Sequence, residues 1–385
     1  MRVCYYLIKR QIKEVINIDD YELKKRIGLD RTVISGFRIV NINREKLFRH
    51  DNIKVSEATT GGYLVAGLSF SFLRIADNNK FATLRAGSEK HVWGKHDYAK
   101  IEVTIGDGLQ GNLQNKTIEE YKERIADIFV YLESEYGIEV NADELQFDLM
   151  EINVTIPLKD EFYKYHRVLQ LFMYNLPNSY KKINEVSAAN KKEKRLETET
   201  LYRKNTSMAI KVYDKRRQLR QTIGYQADKE YLRIELVLQH RQKVREVFKT
   251  NSIQGITDAM INDFFMKEFR RLFVEAYRKW QTENAVRLRK MIKSHKKASP
   301  RYWKSNLIRE CANREQADQI PVLLDVNDLL VQVKALDEAG HYRRIETGIL
   351  AQCVKNDVFI QNDAEKVEEI FDLVYEAYDN CSALE

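Results

Sequence analysis

Up to about residue 240 the chain switches between two hydrophobic periods, and beyond that point it keeps only one. Residues 62–73 are apolar and partly alternating, bounded by glycine and by Asp77-Asn78-Asn79, which predicts a half-buried strand followed by a turn. Lys100–Ile105 alternates strictly and is stopped by Gly106-Asp107-Gly108. Leu145–Pro157 is a longer alternating strand, and the proline is expected to end it. Ser207–Tyr213 and Tyr231–Leu238 are two further strands, flanking a short basic segment that ends at Gly224 and reads as helix or loop. Two helices interleave with these strands. One runs from Glu119 to Tyr136 with Ile125, Ile128, Phe129 and Leu132 at helical spacing. The other runs from Phe162 to Leu176 with Tyr165, Leu169, Phe172 and Met173 on one face, stopped by Pro177-Asn178. From about Gln242 onward Val247, Ile256, Met260, Phe264, Phe265, Phe269, Phe273 and Tyr277 recur at helical intervals. The pattern predicts an α+β chain, with an antiparallel-sheet domain over residues 1–245 and an all-helical domain over 246–385.

Composition narrows the class. A chain of 385 residues is long enough for two or three domains, and 44% hydrophobic with 31% charged residues is ordinary for a globular protein. Four prolines and 15 glycines argue against a low-complexity chain. No apolar run approaches the ~20 residues of a membrane span. The short apolar run in Met1–Arg10 lacks a following cleavage site and reads as a strand. Cys4, Cys311, Cys353 and Cys381 lie far apart with no CxxC pair, as expected of a reducing cytoplasm.

Charge adds a partner. The net charge is +7, with basic stretches over 191–220 and 267–309 and an acidic end such as Asp363–Glu369. A basic middle, partly interleaved with Tyr277, Trp280, Tyr302 and Trp303, points to nucleic acid; solvated helix faces are the plainer alternative. Arg203, Lys204, Lys211, Arg216, Arg217 and Arg233 are the expected DNA contacts.

The chemistry must come from carboxylates and a tyrosine. There is no GxxxxGK[ST], GxGxxG, GxSxG or HExxH sequence, and the seven histidines form no His-x-His pair. Glu102 interrupts Lys-Ile-Glu-Val-Thr-Ile, Glu235 interrupts Leu-Arg-Ile-Glu-Leu-Val-Leu, and Glu151 and Asn153 sit two apart and so share one face of a strand. Carboxylates inside apolar strands are costly unless paired or metal-bound, so together these four could form an oxygen-rich site for Mg²⁺ or Mn²⁺. Pairing with a neighbour such as Arg233 is the alternative. Tyr213 stands in Ile-Lys-Val-Tyr-Asp-Lys, with Lys215 two residues on, where a continuing strand would put it on the same face. A cation or metal beside a tyrosine lowers the cost of its attack on phosphorus.

Three stretches resemble, in order, the phage and plasmid replication proteins related to the gene II/X initiator of filamentous phages, a rolling-circle family. They are Ile101–Asn112, Met150–Thr155, and Thr206–Lys215 followed by Tyr231–Leu238, and the likeness spans roughly residues 60–245. The resemblance implies a nickase-like N-terminal domain. It implies Tyr213 as the nucleophile that becomes joined to a 5′-phosphate, Lys215 as its electrostatic partner, and Glu102, Glu151 or Asn153, and Glu235 as ligands of Mg²⁺ or Mn²⁺. Single-stranded or hairpin origin DNA would be the substrate, with host replication proteins and a further copy of the chain as possible partners. The turn at Gly111-Asn112 lacks the family's histidine, and only Glu151 keeps the charge of the family's central acidic residue. Tyr202 is the nearest candidate for a second active tyrosine. A conjugative relaxase with the same chemistry, and a DNA-binding protein without catalysis, are the rival readings.

Overall fold

The computed structural model describes residues 27–49, 53–57, 68–75, 82–91, 94–104, 115–142, 144–182, 200–223, 226–318, 321–337, 340–355 and 363–382; of residues 53–57, 68–75, 82–91 and 94–104 it describes the backbone. Met1–Arg10, Cys4 and Gly111-Asn112 lie outside them.

The alternating segments form one antiparallel sheet. Its strands are β1 (Gly28–Ser35), β3 (Ile53–Glu57), β4 (Leu68–Ile75), β5 (Ala82–His91), β6 (Gly94–Thr104), β8 (Gln146–Leu158), β9 (Lys181–Lys182), β10 (Leu201–Lys204), β11 (Met208–Asp214) and β12 (Glu230–Leu238). Their order is β3-β4-β5-β6-β1-β8-β12-β11-β10-β9, and the short β2 (Arg38–Ile42) and β7 (Ile138–Asn141) pair separately. The α+β class expected from the periods is therefore observed. One expectation fails: Pro157 does not end β8, which continues to Leu158 with Pro157 opposite Tyr231. The pairing of β1 with β8 stops at Asn153, so Pro157 stands where β8 has β12 alone as a partner, an edge position that a proline tolerates.

Alternation sorts the central strands into two faces. Ile152, Val154 and Ile156 of β8, Ile234 and Leu236 of β12, and Ile210 and Val212 of β11 are all buried in one apolar core. Helices supply the other half of that core. The helix α2 (Ile118–Tyr136), preceded by the one-turn α1 (Arg44–Leu47), brings Tyr121, Ile125 and Leu132. It starts at a capping box, Thr117 with Glu120, and stops at Gly137, whose left-handed φ of 66° places an added Cβ 2.7 Å from that of Asn43. The helix α3 (His166–Tyr174) brings Leu169 and Phe172.

After β11 comes α4 (Lys215–Ile223), so the basic segment is a helix, and after β12 the chain is helical throughout its described residues. Following α5 (Arg241–Phe248), α6 (Asp258–Phe269) runs through a π turn, Arg270–Val274, into α7 (Glu275–Ala298). Phe265, Phe269 and Phe273 line up along this rod, and Phe269 and Phe273 meet Phe172 or Phe371 edge-on. Then come α8 (Trp303–Asp318), α9 (Val326–Ala335), α10 (Tyr342–Lys355) and α11 (Asp363–Ser382).

The change from strands to helices comes near residue 240, while the apolar cores divide further along. The sheet's core takes in α6, the start of α7, and Val367, Ile370, Phe371 and Val374 of the acidic α11. A second core of Leu288, Ile292, Leu307, Ile308, Leu329, Val333 and Ile349 belongs to the later helices alone. Arg167 of α3 ties the two together, donating to Glu315 at 2.7 and 2.9 Å and to the Leu323 carbonyl at 2.8 Å, and pairing with Asp363. Tyr277, Trp280 and Trp303 are buried in these cores, which removes them from the expected DNA-stacking set; Tyr302 alone of the four is exposed, with the Arg301 guanidinium 5.4 Å from its ring centre. No helix among the described residues is long and apolar enough to cross a membrane.

Candidate active site

The other face of the same strands is polar and almost as well buried. Antiparallel pairing sets Tyr213 opposite Arg233 and Arg233 opposite Thr155. One step along, Lys211 is opposite Glu235 and Glu235 opposite Asn153, and Glu151 follows two residues from Asn153. Directly paired residues share a face, so β8, β12 and β11 present three rows of polar side chains side by side.

These side chains form a connected network. The Tyr213 hydroxyl donates to Glu235 Oε1 at 2.5 Å. Lys211 Nζ donates to Glu151 Oε1 at 3.0 Å and reaches Glu235 Oε2 at 3.2 Å. Arg31 of β1 donates to the same Glu151 oxygen at 3.3 Å. Arg233 donates to Thr155 Oγ1 and to Asp30 Oδ2, each at 2.8 Å. Asn153 is fully buried, and neither polar atom of its side chain has a partner among the described residues.

Two neighbours seal this face. The helix α4 folds back so that Leu219 packs on Ala227 and Tyr231. Residues 115–117 cross beside Asn153, whose carbonyl accepts from Asn115 Nδ2 at 2.7 Å. That crossing needs Gly28, opposite Asn153 in β1, because an added Cβ there would lie 2.7 Å from the Lys116 carbonyl oxygen. The face opens at Lys211 and Arg31, whose side chains are 25% and 37% exposed.

Burial and charge set the protonation states. Burial, then the Glu235 carboxylate, push the Tyr213 phenol well above its ordinary pKa, with Arg233 pulling the other way. The resting tyrosine is therefore neutral, and Glu235 is placed to take its proton. Burial and Glu235 also raise the Glu151 carboxyl. Burial works against the Lys211 ammonium, but Glu235 and Glu151 more than offset it and hold it charged.

Four expected site residues thus come together: Tyr213, Glu151, Asn153 and Glu235. Lys215 does not join them as a strand residue. Asp214 ends β11 and accepts from the Arg217 backbone N–H at 2.9 Å, an N-cap that makes Lys215 the first residue of α4. Its Nζ donates to Gln218 at 2.8 Å, and burial, followed by Arg233, lowers its pKa to about 7. Glu102 lies in β6 opposite Val33 of β1, which in turn is opposite Leu149 of β8; its side chain lies outside the described residues.

The expected DNA contacts scatter. Lys211 belongs to the network, and Arg233, 1% exposed, is tied to Thr155 and Asp30 beneath it, which removes it from the DNA-facing surface. Arg216 pairs with Glu230. Lys204 is exposed and Arg203 and Arg217 half-buried. Tyr202 of β10 is opposite Lys211, in the same row as Glu235. Sequence reasoning missed Arg31 and Asp30, and it missed that Lys211 pairs with both Glu151 and Glu235. The period of two that picked Lys215 forward of Tyr213 picks Lys211 backward, and the Asp214 cap is the signal that separates them.

The donor set can be tested against the expected Mg²⁺ or Mn²⁺. Two carboxylates and a carboxamide suit a hard cation. The Lys211 ammonium, however, stands between the carboxylates at 3.0 and 3.2 Å, where a bridging ion would sit. As arranged, Glu151 and Glu235 do not fit a divalent ion between them. Among the described residues no three His, Cys, Asp or Glu side chains converge.

No family model matches the chain, and no curated protein matches it. Among solved structures it is similar to a rolling-circle replication initiator protein from Geobacillus stearothermophilus, at 16% identity and a TM-score of 0.29, over 64% of this chain and 85% of that one. At that TM-score the likeness bears on neither the site nor its chemistry.

Proposed function

We propose that this protein is a rolling-circle replication initiator of a phage or plasmid, which nicks and rejoins one strand of single-stranded or hairpin origin DNA. The observation that carries the reading is the buried Tyr213 hydroxyl donating to Glu235 at 2.5 Å, with Lys211 paired to the same carboxylate. A phenol bonded to a carboxylate that can take its proton, with positive charge at the open edge of the same face, supplies the base and the charge compensation on which phosphoryl transfer to tyrosine draws.

The step balances without a nucleotide. Tyr213 Oη attacks the phosphorus and its proton passes to Glu235. The bond from phosphorus to the 3′-oxygen breaks, the 3′-oxygen leaves as a hydroxyl on taking up a proton, and the 5′-phosphate stays on Tyr213. Lys211 and Arg31, at the open edge, offset charge on the phosphate oxygens. One phosphodiester is exchanged for another, so the reverse step reseals the strand. The exposed basic residues of α7, such as Arg278, Lys279, Arg287 and Lys290, supply backbone contacts to the DNA.

The test is a covalent adduct. A 5′-end-labelled origin hairpin should lose its 3′ segment, and its unlabelled 5′-phosphate product should remain bound through denaturation on a peptide containing Tyr213. Absence of both adduct and nicking would leave the polar face as a structural network in a non-catalytic DNA-binding protein, and equal nicking by Tyr213→Phe would take the nucleophile's role away from Tyr213.

A further inference from the structure

The place of Lys211 carries a consequence for metal binding. Its ammonium bridges Glu151 Oε1 and Glu235 Oε2 at 3.0 and 3.2 Å, and both carboxylates are at least nine-tenths buried. Asn153 lies between them in the rows of β8 and β12, fully buried, its amide oxygen and nitrogen without partners among the described residues. Two carboxylates therefore converge on one point, with the Asn153 carboxamide next to Glu235 in the same row, and a protein cation fills that point. A divalent ion at the same point would meet the ammonium at short range in a poorly screened setting, so the two exclude each other.

We propose that Lys211 is a built-in substitute for a divalent metal: it fixes Glu151 and Glu235 as a bridging ion would, and only its removal uncovers a Mg²⁺- or Mn²⁺-binding site made of Glu151, Glu235 and Asn153. The amine neutralises the carboxylate that receives the Tyr213 proton, and it extends to the open edge of the face. As far as it concerns strand cleavage this rests on the nicking function proposed above, in which case cleavage by the parent protein persists in a chelator. The metal-binding consequence is independent of DNA.

The experiment follows Mn²⁺ alone, by loss of the free-ion paramagnetic signal and by thermal melting of the full chain. Binding counts as belonging to this site when Glu235→Gln abolishes it. The parent should show no such binding and an unchanged melting temperature. Lys211→Met should gain one Mn²⁺ per chain and melt higher as Mn²⁺ is added, since a ligand of the native state stabilises it by mass action; adding Glu235→Gln to it should erase both. Lys211→Arg, which keeps the charge, controls for folding and should behave as the parent does. If Lys211→Met is too poorly folded to purify, Lys211→Gln takes its place, its refolding yield with and without Mn²⁺ being read instead. Glu235-dependent Mn²⁺ binding by the parent overturns the proposal, as does its failure to appear when Lys211 is replaced. Since no DNA is present, either result is separate from whether Tyr213 forms an adduct.

Discussion

The two faces of β8, β12 and β11 are made by alternate residues of the same strands, one position apart, and they do opposite work. On one face Ile152, Val154, Ile234, Leu236 and Ile210 meet helices and are stabilised by burial, which tolerates any well-packed apolar neighbour. On the other, Glu151, Glu235, Arg233 and Tyr213 are nearly as buried but must each find a particular partner. A lost methyl group on the first face costs packing; a lost partner on the second strands a charge. A sheet can hold a chemical site of high electrostatic cost because its reverse side supplies the stability.

The sharpest separation is expected from Tyr213→Phe. The DNA adduct should vanish and nicking fall to the uncatalysed background, whereas chemical denaturation should show a loss of about 1.5–3 kcal/mol, one hydrogen bond to a buried carboxylate that keeps Lys211 as its partner. A large loss of stability would mean that the polar face holds the fold as well. The mirror experiment is Leu236→Ala, one residue along β12 from Glu235. It should cost about 2–5 kcal/mol in denaturation while leaving the nicking rate per folded molecule near that of the parent.

Lys215 tests the cost of burying charge behind the polar face. Its folded pKa is lowered to about 7 by burial. Between about pH 7 and the ordinary lysine range of ~10.4 the unfolded chain therefore binds the extra proton, and stability rises with pH. The penalty is present in full below pH 7 and fades as pH rises through that window. Lys215→Met should raise stability at pH 7 by an amount on the order of a few kcal/mol and flatten the profile, as measured by urea melts from pH 6 to pH 10. The smallest effect is expected from Asp214→Ala. It removes the cap that turns the chain from β11 into α4 and should cost about 1 kcal/mol, with a lowered nicking rate as the lid over the polar face loosens.

Which side chains share a face of a strand could be read from the chain alone. Alternation with a period of two is local to each strand, so Glu151 with Asn153, and the α+β succession with its change near residue 240, were legible before any packing was known. The helix expected from Glu119 starts one residue earlier, at Ile118, behind the Thr117–Glu120 capping box. Partners were not legible, because register is set between strands far apart in the chain. That Lys211 meets Glu151 across β12, that Arg233 lies beneath Tyr213, and that Arg31 arrives from β1 follow from cross-strand pairing alone. The same limit misled the reading of Tyr277, Trp280 and Trp303: an aromatic beside basic residues looks alike in sequence whether it faces DNA or a core, and only the helices packed against it decide. Lys215 marks the boundary between the two kinds of knowledge. Its spacing from Tyr213 fits a strand, yet the carboxylate of Asp214 starts a helix there, and a change of backbone direction takes the amine out of the row and buries it.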